Sequence, residues 1–328
     1  MDLSIIIPSR SPENYLQKTI DDLLLKAEGS VEIIVVFDGV WPEEVIKDDK
    51  RVRLIHHGTI HNSNGMRDCI NKGVAVSSGK YIMKIDEHCM VDQGYDVKLI
   101  ADCEDNWVVV PRRYRLDADN WKVLEDRRKP IDYMRIDYPY QRPEDKTCGL
   151  HGAEDRERYH THKDNLIDDL MTMQGSCYFM SRKMWDSAIV RMEDENYGTF
   201  TAEAQEISMK AWLSGGRVIV NKKTWYAHWH KGRSGKGYGF SNAQYKQHAE
   251  QMEKGRLFCI DFWLNNKWDK RIHDFKWLIE KFWPIKGWPD NWEEQVLIDK
   301  EKDYSTLKYE NDYWLQGLRK NENEAQIS

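Results

Sequence analysis

No stretch of this 328-residue chain is apolar for long enough to span a bilayer, so no transmembrane segment is expected. The start offers no signal peptide: "LSIIIP" is a short apolar run ended by proline, with no basic region before it and no small-residue cleavage site after it. Cysteines are few and scattered, at Cys69, Cys89, Cys103, Cys148, Cys177 and Cys259. None forms a C-x-x-C pair, which excludes a zinc ribbon and signals no disulfide framework. A reduced, cytoplasmic protein is the simplest reading, in the host cytoplasm if the source is viral. Basic charge is not in excess either. The net charge of −6 does not announce a nucleic-acid binder, although it leaves room for a local basic patch. There is no internal repeat.

Aromatic residues are abundant. The chain has 14 tryptophans, many of them late, among them Trp263, Trp268, Trp277, Trp283, Trp288, Trp292 and Trp314. So dense a set reads as a compact packed subdomain, with an apolar groove as the alternative.

The first 110 residues alternate apolar strands with helices. "LSIIIPSR", "VEIIVVFDG", "VRLIHHG", "KYIMKIDEH" and "WVVVPRR" read as strands. "ENYLQKTIDDLLLKA" and "GMRDCINKGVAVSSG" carry helical periodicity. This pattern predicts an α/β fold with a mostly parallel sheet covered on both faces. In such sheets ligands bind beyond the carboxyl ends of the strands. Pro8, Ser9 and Arg10, then Asp38, then Asp86-Glu87-His88 all fall at such ends and should converge on one crevice.

Asp86 and His88 stand two apart at the end of a strand, a spacing that puts both side chains on one face. A carboxylate and a neutral imidazole so placed make a chelate for a divalent ion; a polar turn after the strand is the plainer alternative. Downstream, residues 112–170 read as a long excursion with little regular structure. "MQGSCYFMSRKMWD" then gives a strand and a helix, "TAEAQEISMKAWLSGG" a helix stopped by glycine, and "RVIVNKKTWYAHWHKG" a strand ending in a His-rich basic loop.

The order of these pieces resembles GT-A-fold nucleotide-sugar glycosyltransferases. The downstream run is similar to the catalytic domain of polypeptide N-acetylgalactosaminyltransferases and the large superfamily around them. The resemblance spans roughly residues 3–235. It implies a Rossmann-like catalytic domain over residues 1–245, with a nucleotide-binding half at 1–110 and a sugar and acceptor half at 171–240. Residues 246–328 would form a helical, aromatic-rich extension.

The same resemblance assigns roles. Asp86 and His88 match the family's Asp-x-His, and His228 in "YAHWHK" matches its third metal ligand, with His230 one strand period further on as the alternative. Two imidazoles and a carboxylate suit Mn2+ better than Mg2+, which prefers oxygen. Asp38 would recognise the uracil or ribose of a UDP-sugar, Pro8, Ser9 and Arg10 would line that edge, and Arg67 would clamp the diphosphate. Lys231 and Arg233, in the Gly-rich loop "HKGRSGKGYGF", would close over the leaving group. Glu203 and Glu206 share a helix face. Glu203 falls where the family has the glutamate of its Gly-Glu-Asn motif, and the pair would bind the donor sugar or the acceptor hydroxyl. Inverting relatives place a catalytic aspartate one position after that glutamate. This chain has Ala204 there, which leans toward a retaining mechanism, with Glu203 itself as the alternative base.

The acceptor is left open between a polysaccharide or glycolipid precursor, a protein, and a hydroxymethylated base in phage-type DNA. The last is raised by the basic tracts "RRYR" and "HKGRSGKG" and by aromatic residues that stack on bases. Two other classes share the fold: sugar nucleotidyltransferases, whose Gly-rich basic loop near the N-terminus is not found here, and non-catalytic nucleotide-binding modules.

Overall fold

The protein is described from a computed structural model. The structure describes residues 1–10, 15–59, 63–124, 128–140, 149–198, 201–230 and 242–302.

The N-terminal alternation of the sequence is realised as β1 (Leu3–Ser9), α1 (Leu16–Lys26), β2 (Val31–Asp38), β3 (Val52–His57), α2 (Gly65–Ala75), β4 (Tyr81–Ile85), β5 (Cys89–Val91), α3 (Tyr95–Ala101) and β6 (Trp107–Asp117). The excursion that follows is not featureless. It holds β7 (Lys122–Val123), β8 (Met134–Ile136), β9 (Gly152–Glu154), α4 (Arg156–His162) and β10 (Ile167–Asp169). Strands of two or three residues leave no period to read, which is why the sequence hides them. Then come β11 (Cys177–Ser181), α5 (Arg182–Met184) running on as a π-helical turn, α6 (Glu203–Leu213), β12 (Arg217–His228), α7 (Asn242–Leu264), α8 (Phe275–Phe282) and α9 (Trp292–Lys300).

The main sheet has the order β10-β12-β6-β11-β4-β1-β2-β3, with β5 added to β12 and β7 to β6. β1 is parallel to β2 and β4, and β2 to β3. β11 is antiparallel to both β4 and β6, and β12 is parallel to β6. Hence β1, β2, β3, β4, β6 and β12 all point the same way, and the expected gathering of their carboxyl ends at one edge is real.

Successive side chains of the inner strands feed two cores, as the period of a strand requires. Ile6, Ile34, Val36 and Ile82 enter the larger one, with α2, α6 and residues from α7 to α9. Ile5, Ile7, Ile33, Val35 and Met83 enter the other, with α1 and α3. Cys259, Ile260 and Trp263 of α7 belong to the larger core, so the late aromatic segment packs directly on the catalytic layers. Its indoles are anchored: Trp263 donates to the Tyr197 hydroxyl at 2.6 Å and Trp288 to the Ile136 carbonyl at 2.8 Å.

α2 lies unusually close to the sheet at Gly73. A methyl there would stand 2.5 Å from Ile6 Cγ2 and 3.3 Å from Val36 Cγ2. In an open helix Gly→Ala stabilises by about 1 kcal/mol. Here Gly73→Ala is expected to destabilise by about 1–3 kcal/mol through overpacking, seen as a lower urea midpoint at unchanged m.

Candidate active site

The site is built by the chain doubling back on itself. β4 ends at Ile85, Asp86 donates its backbone N–H to the Ser176 carbonyl at 3.0 Å, and after Glu87-His88 the chain reverses as β5. β5 pairs antiparallel with the end of β12, where Cys89 faces His228. A shift of register between Asn221 and Trp225 re-aims the last part of β12 toward this edge, a common device beside active sites.

Asp86, His88 and His228 therefore meet, with one ligand atom from each lying within 4.8 Å of the others. The two Nε2 atoms are 3.1 Å apart, and His228 Nε2 is 3.2 Å from Asp86 Oδ2. A first-row ion with bonds of about 2.1 Å sets neighbouring octahedral donors about 3 Å apart. The donor set and its spacing thus fit such an ion. His228 Nδ1 accepts from Arg113 Nη2 at 2.9 Å, which leaves the single ring proton on Nε2, facing Asp86. Ligation of an ion at Nε2 would require the ring proton to move to Nδ1, with the Arg113 contact given up, or to leave for solvent. Burial pushes His228 down to about 4, with the Arg113 charge adding to the shift and Asp86 opposing it. Burial alone would raise the Asp86 carboxyl, but Lys84 and His228 outweigh it and hold it below the usual carboxylate range.

Lys84 is the unexpected member. It sits inside β4 with its side chain 1% exposed, donates to Asp86 Oδ1 at 2.6 Å and to the Gly175 carbonyl at 2.5 Å, and stands 3.4 Å from Glu203 Oε1. Glu203, at the start of α6, is buried behind Gly175; a Cβ on that glycine would lie 2.6 Å from Glu203 Oε2. Burial raises the Glu203 carboxyl, against the pull of Lys84. Glu203 therefore reaches the Asp86, His88 and His228 cluster through Lys84.

At the nucleotide edge the expected residues are close neighbours. Pro8 is half-buried in β1 opposite Val36. The Ser9 hydroxyl donates to Glu87, and Thr19 donates to the Glu87 carbonyl at 2.9 Å. Glu87, given no role of its own by the sequence, ties the end of β1 and α1 to the turn after β4. Arg10 donates to the Asp38 carbonyl at 2.5 Å. The Asp38 carboxylate accepts from the Asn64 N–H at 2.7 Å, the Gly65 N–H at 3.1 Å and the Ser63 hydroxyl. Asp38 thus fixes the turn into α2, and any contact with a nucleoside is made by a carboxylate that this turn orients.

Two of the expected residues lie in the interior. Arg67 is wholly buried, ion-paired with Glu206, donating to the Glu193 carbonyl at 3.1 Å and to the Thr201 carbonyl, with its guanidinium 4.2 Å from the Tyr197 ring centre. Glu206 is held between Arg67 and Lys210, whose Nζ is 2.7 Å away. The pair locks α2 to α6 in the interior. Burial acts to raise the Glu206 carboxyl, but Lys210 and Arg67 outweigh it and hold it low. His230 is outside the cluster, its ring 6.2 Å from that of His228. Lys231 and Arg233 lie outside the described residues.

Residues 4–189, more than half of the chain, match the profile of glycosyl transferase family 2. The chain belongs to glycosyl transferase family 2. Curated relatives agree with that assignment. An uncharacterised glycosyltransferase, EpsJ, of Bacillus subtilis (strain 168) is 30% identical over 110 residues, which cover 32% of this chain and 31% of that protein. Glycosyltransferase GlyA of Streptococcus pneumoniae serotype 4 is 28% identical over 99 residues, 28% of this chain and 14% of that protein. The matched part thus spans about a third or less of these relatives. Among solved structures, GalNAc-T7 with UDP, GalNAc and Mn2+ superposes with a TM-score of 0.63 at 13% identity, over 86% of this chain and 56% of that one. At that identity the likeness shows the fold, and the GT-A architecture expected from the sequence holds. The family 2 match ends before Glu203 and His228, so geometry alone joins those two residues to this glycosyltransferase's site. No helix among the described residues is long and apolar enough to cross a membrane.

Proposed function

We propose that this glycosyltransferase moves a sugar from a UDP-sugar to an acceptor hydroxyl, with Mn2+ held by Asp86, His88 and His228. The observation that carries the reading is the meeting of these three side chains at the carboxyl edge of the sheet. The GT-A neighbour GalNAc-T7, solved with UDP and Mn2+, supports it. When bound, the metal supplies positive charge against the diphosphate as the sugar–oxygen bond breaks. The chain's own residues do the rest. Asp38 and Arg10, joined to each other, form the nucleoside end, with Pro8 and Ser9 beside them. Lys84 and Glu203 form the floor on the sugar side, and Lys231 and Arg233 are the cations proposed for the leaving diphosphate. Ala204, buried and apolar, follows Glu203 where a base would serve inversion, so transfer is read as retaining.

Calorimetric titration of UDP into the protein tests the reading. Binding is expected with Mn2+ and at least about tenfold weaker after chelation, the scale on which metal sites respond to lost coordination. Binding of UDP that ignores Mn2+ would remove the metal from the proposal. Failure of any uridine nucleotide to bind would remove the donor. The anomeric configuration of the released sugar, followed by NMR with a UDP-sugar donor, decides between retention and inversion.

A further inference from the structure

A lysine in the middle of a buried strand calls for an explanation. Met83 and Ile85, on either side of Lys84, are fully buried, and a charge is kept in such a place only when its hydrogen bonds are made. The ammonium donates to Asp86 Oδ1 at 2.6 Å and to the Gly175 carbonyl at 2.5 Å, and Glu203 Oε1 stands at ion-pair distance, 3.4 Å, without a hydrogen bond. Lys84 and Asp86 are two apart in extended chain and share a face. The Asp86 contact is the shorter of the two ionic ones. With Oδ1 taken, the oxygen left toward His228 is Oδ2, at 3.2 Å.

We infer that Lys84 is a positioning residue of this site: it fixes Asp86 as a one-oxygen metal ligand and, with the same ammonium, sets Glu203 at a fixed place behind Gly175. The inference rests on the metal reading proposed above. It has a rival with the opposite sign. If Lys84 served only to neutralise Glu203, its positive charge would oppose a cation at Asp86, and removing both charges would leave metal uptake unchanged or tighter. If Lys84 positions Asp86, removing it weakens uptake although a positive charge has gone.

The experiment measures Mn2+ uptake in the presence of UDP, by the EPR signal of free Mn2+. It uses the wild type, Glu203→Gln, Lys84→Met/Glu203→Gln and Lys84→Gln/Glu203→Gln. Pairing each Lys84 change with Glu203→Gln avoids stranding a buried carboxylate, and thermal melting checks that each chain is folded. Glu203→Gln serves as the reference for both double variants. The Lys84→Met double variant is expected to bind at least about tenfold more weakly than Glu203→Gln, the size seen when a partner that orients a ligand is lost. The Lys84→Gln double variant, which keeps an N–H donor and the polar volume, is expected to recover most of that loss. A Lys84→Met double variant that binds as tightly as Glu203→Gln, or more tightly, overturns the inference, as does a folded Lys84→Gln double variant that recovers nothing. A wild type that takes up no Mn2+ with UDP removes the metal reading itself, and the inference with it.

Discussion

Asp86→Ala is expected to abolish Mn2+-dependent binding of UDP and to lower turnover of a UDP-sugar donor by at least about a thousandfold. Asp86 is the only carboxylate in the three-residue cluster, so its loss leaves two neutral imidazoles to hold a divalent cation. A bound metal would contribute several kcal/mol of charge stabilisation to a departing diphosphate; about 4 kcal/mol corresponds to a factor of roughly a thousand in rate. The variant should fold. Asp86 is 23% exposed, and Lys84 keeps the Gly175 carbonyl and Glu203 as partners after Asp86 is gone. The wild type adds a pH test. The folded value of His228, about 4, lies below its ordinary 6.5, so the ring is neutral at pH 5, where a free imidazole is mostly protonated. Proton competition at His228 therefore begins only as the pH falls toward 4. Mn2+ uptake by the wild type should persist at pH 5, while Asp86→Ala should show none at pH 5 or pH 7. Uptake by Asp86→Ala equal to wild type would show that the ion sits elsewhere.

Much of this site could be read from local pattern, and the remainder depends on pairing between distant strands. Asp86 and His88 stand out as a carboxylate and an imidazole two apart after a strand, but they meet through the turn at Glu87-His88, the plainer alternative, and not through extended chain. His228 came into view only through the resemblance, since 140 residues separate it from His88 and the join is made by β5, a strand too short to show periodicity. Lys84 was hidden by the pattern "YIMKI", which reads as a buried strand with one lysine turned outward. In fact its ammonium is held by acceptors just after β4 and in the turn before β11, with the Glu203 carboxylate of α6 at ion-pair distance. The burial of Arg67 and Glu206 was hidden for the converse reason. A charged residue near an expected phosphate site reads as functional, and sequence alone does not show that its partner is buried on another helix. Glu87 was named with its neighbours but given no role of its own, because its partners Ser9 and Thr19 come from β1 and α1. The mostly parallel run of the strands, by contrast, followed from apolar strands alternating with helices, while their order and the antiparallel β11 did not.

Arg67→Ala is expected to destabilise the protein by about 3–5 kcal/mol, the cost of breaking a buried ion pair from one side. Arg67 and Glu206 are both wholly buried, and the guanidinium also holds the Glu193 and Thr201 carbonyls and packs on Tyr197. Truncation strands those acceptors and opens a cavity between α2 and α6. Arg67→Met/Glu206→Gln removes both charges, fills most of the volume, and leaves an amide to serve Lys210 and the Glu193 N–H. It is expected to recover at least half of the lost stability in urea unfolding, because replacing a buried pair by neutral groups of similar size is often close to neutral. This double variant separates structure from ligand binding. If Arg67 acts only between the helices, the folded double variant binds UDP with Mn2+ within about threefold of wild type. A guanidinium that clamps a diphosphate makes charge-assisted bonds worth about 1.5–3 kcal/mol, so its loss would cost at least about tenfold in affinity. A loss of that size in the folded double variant would return Arg67 to the phosphates and would require α6 to move away from α2 when the donor binds.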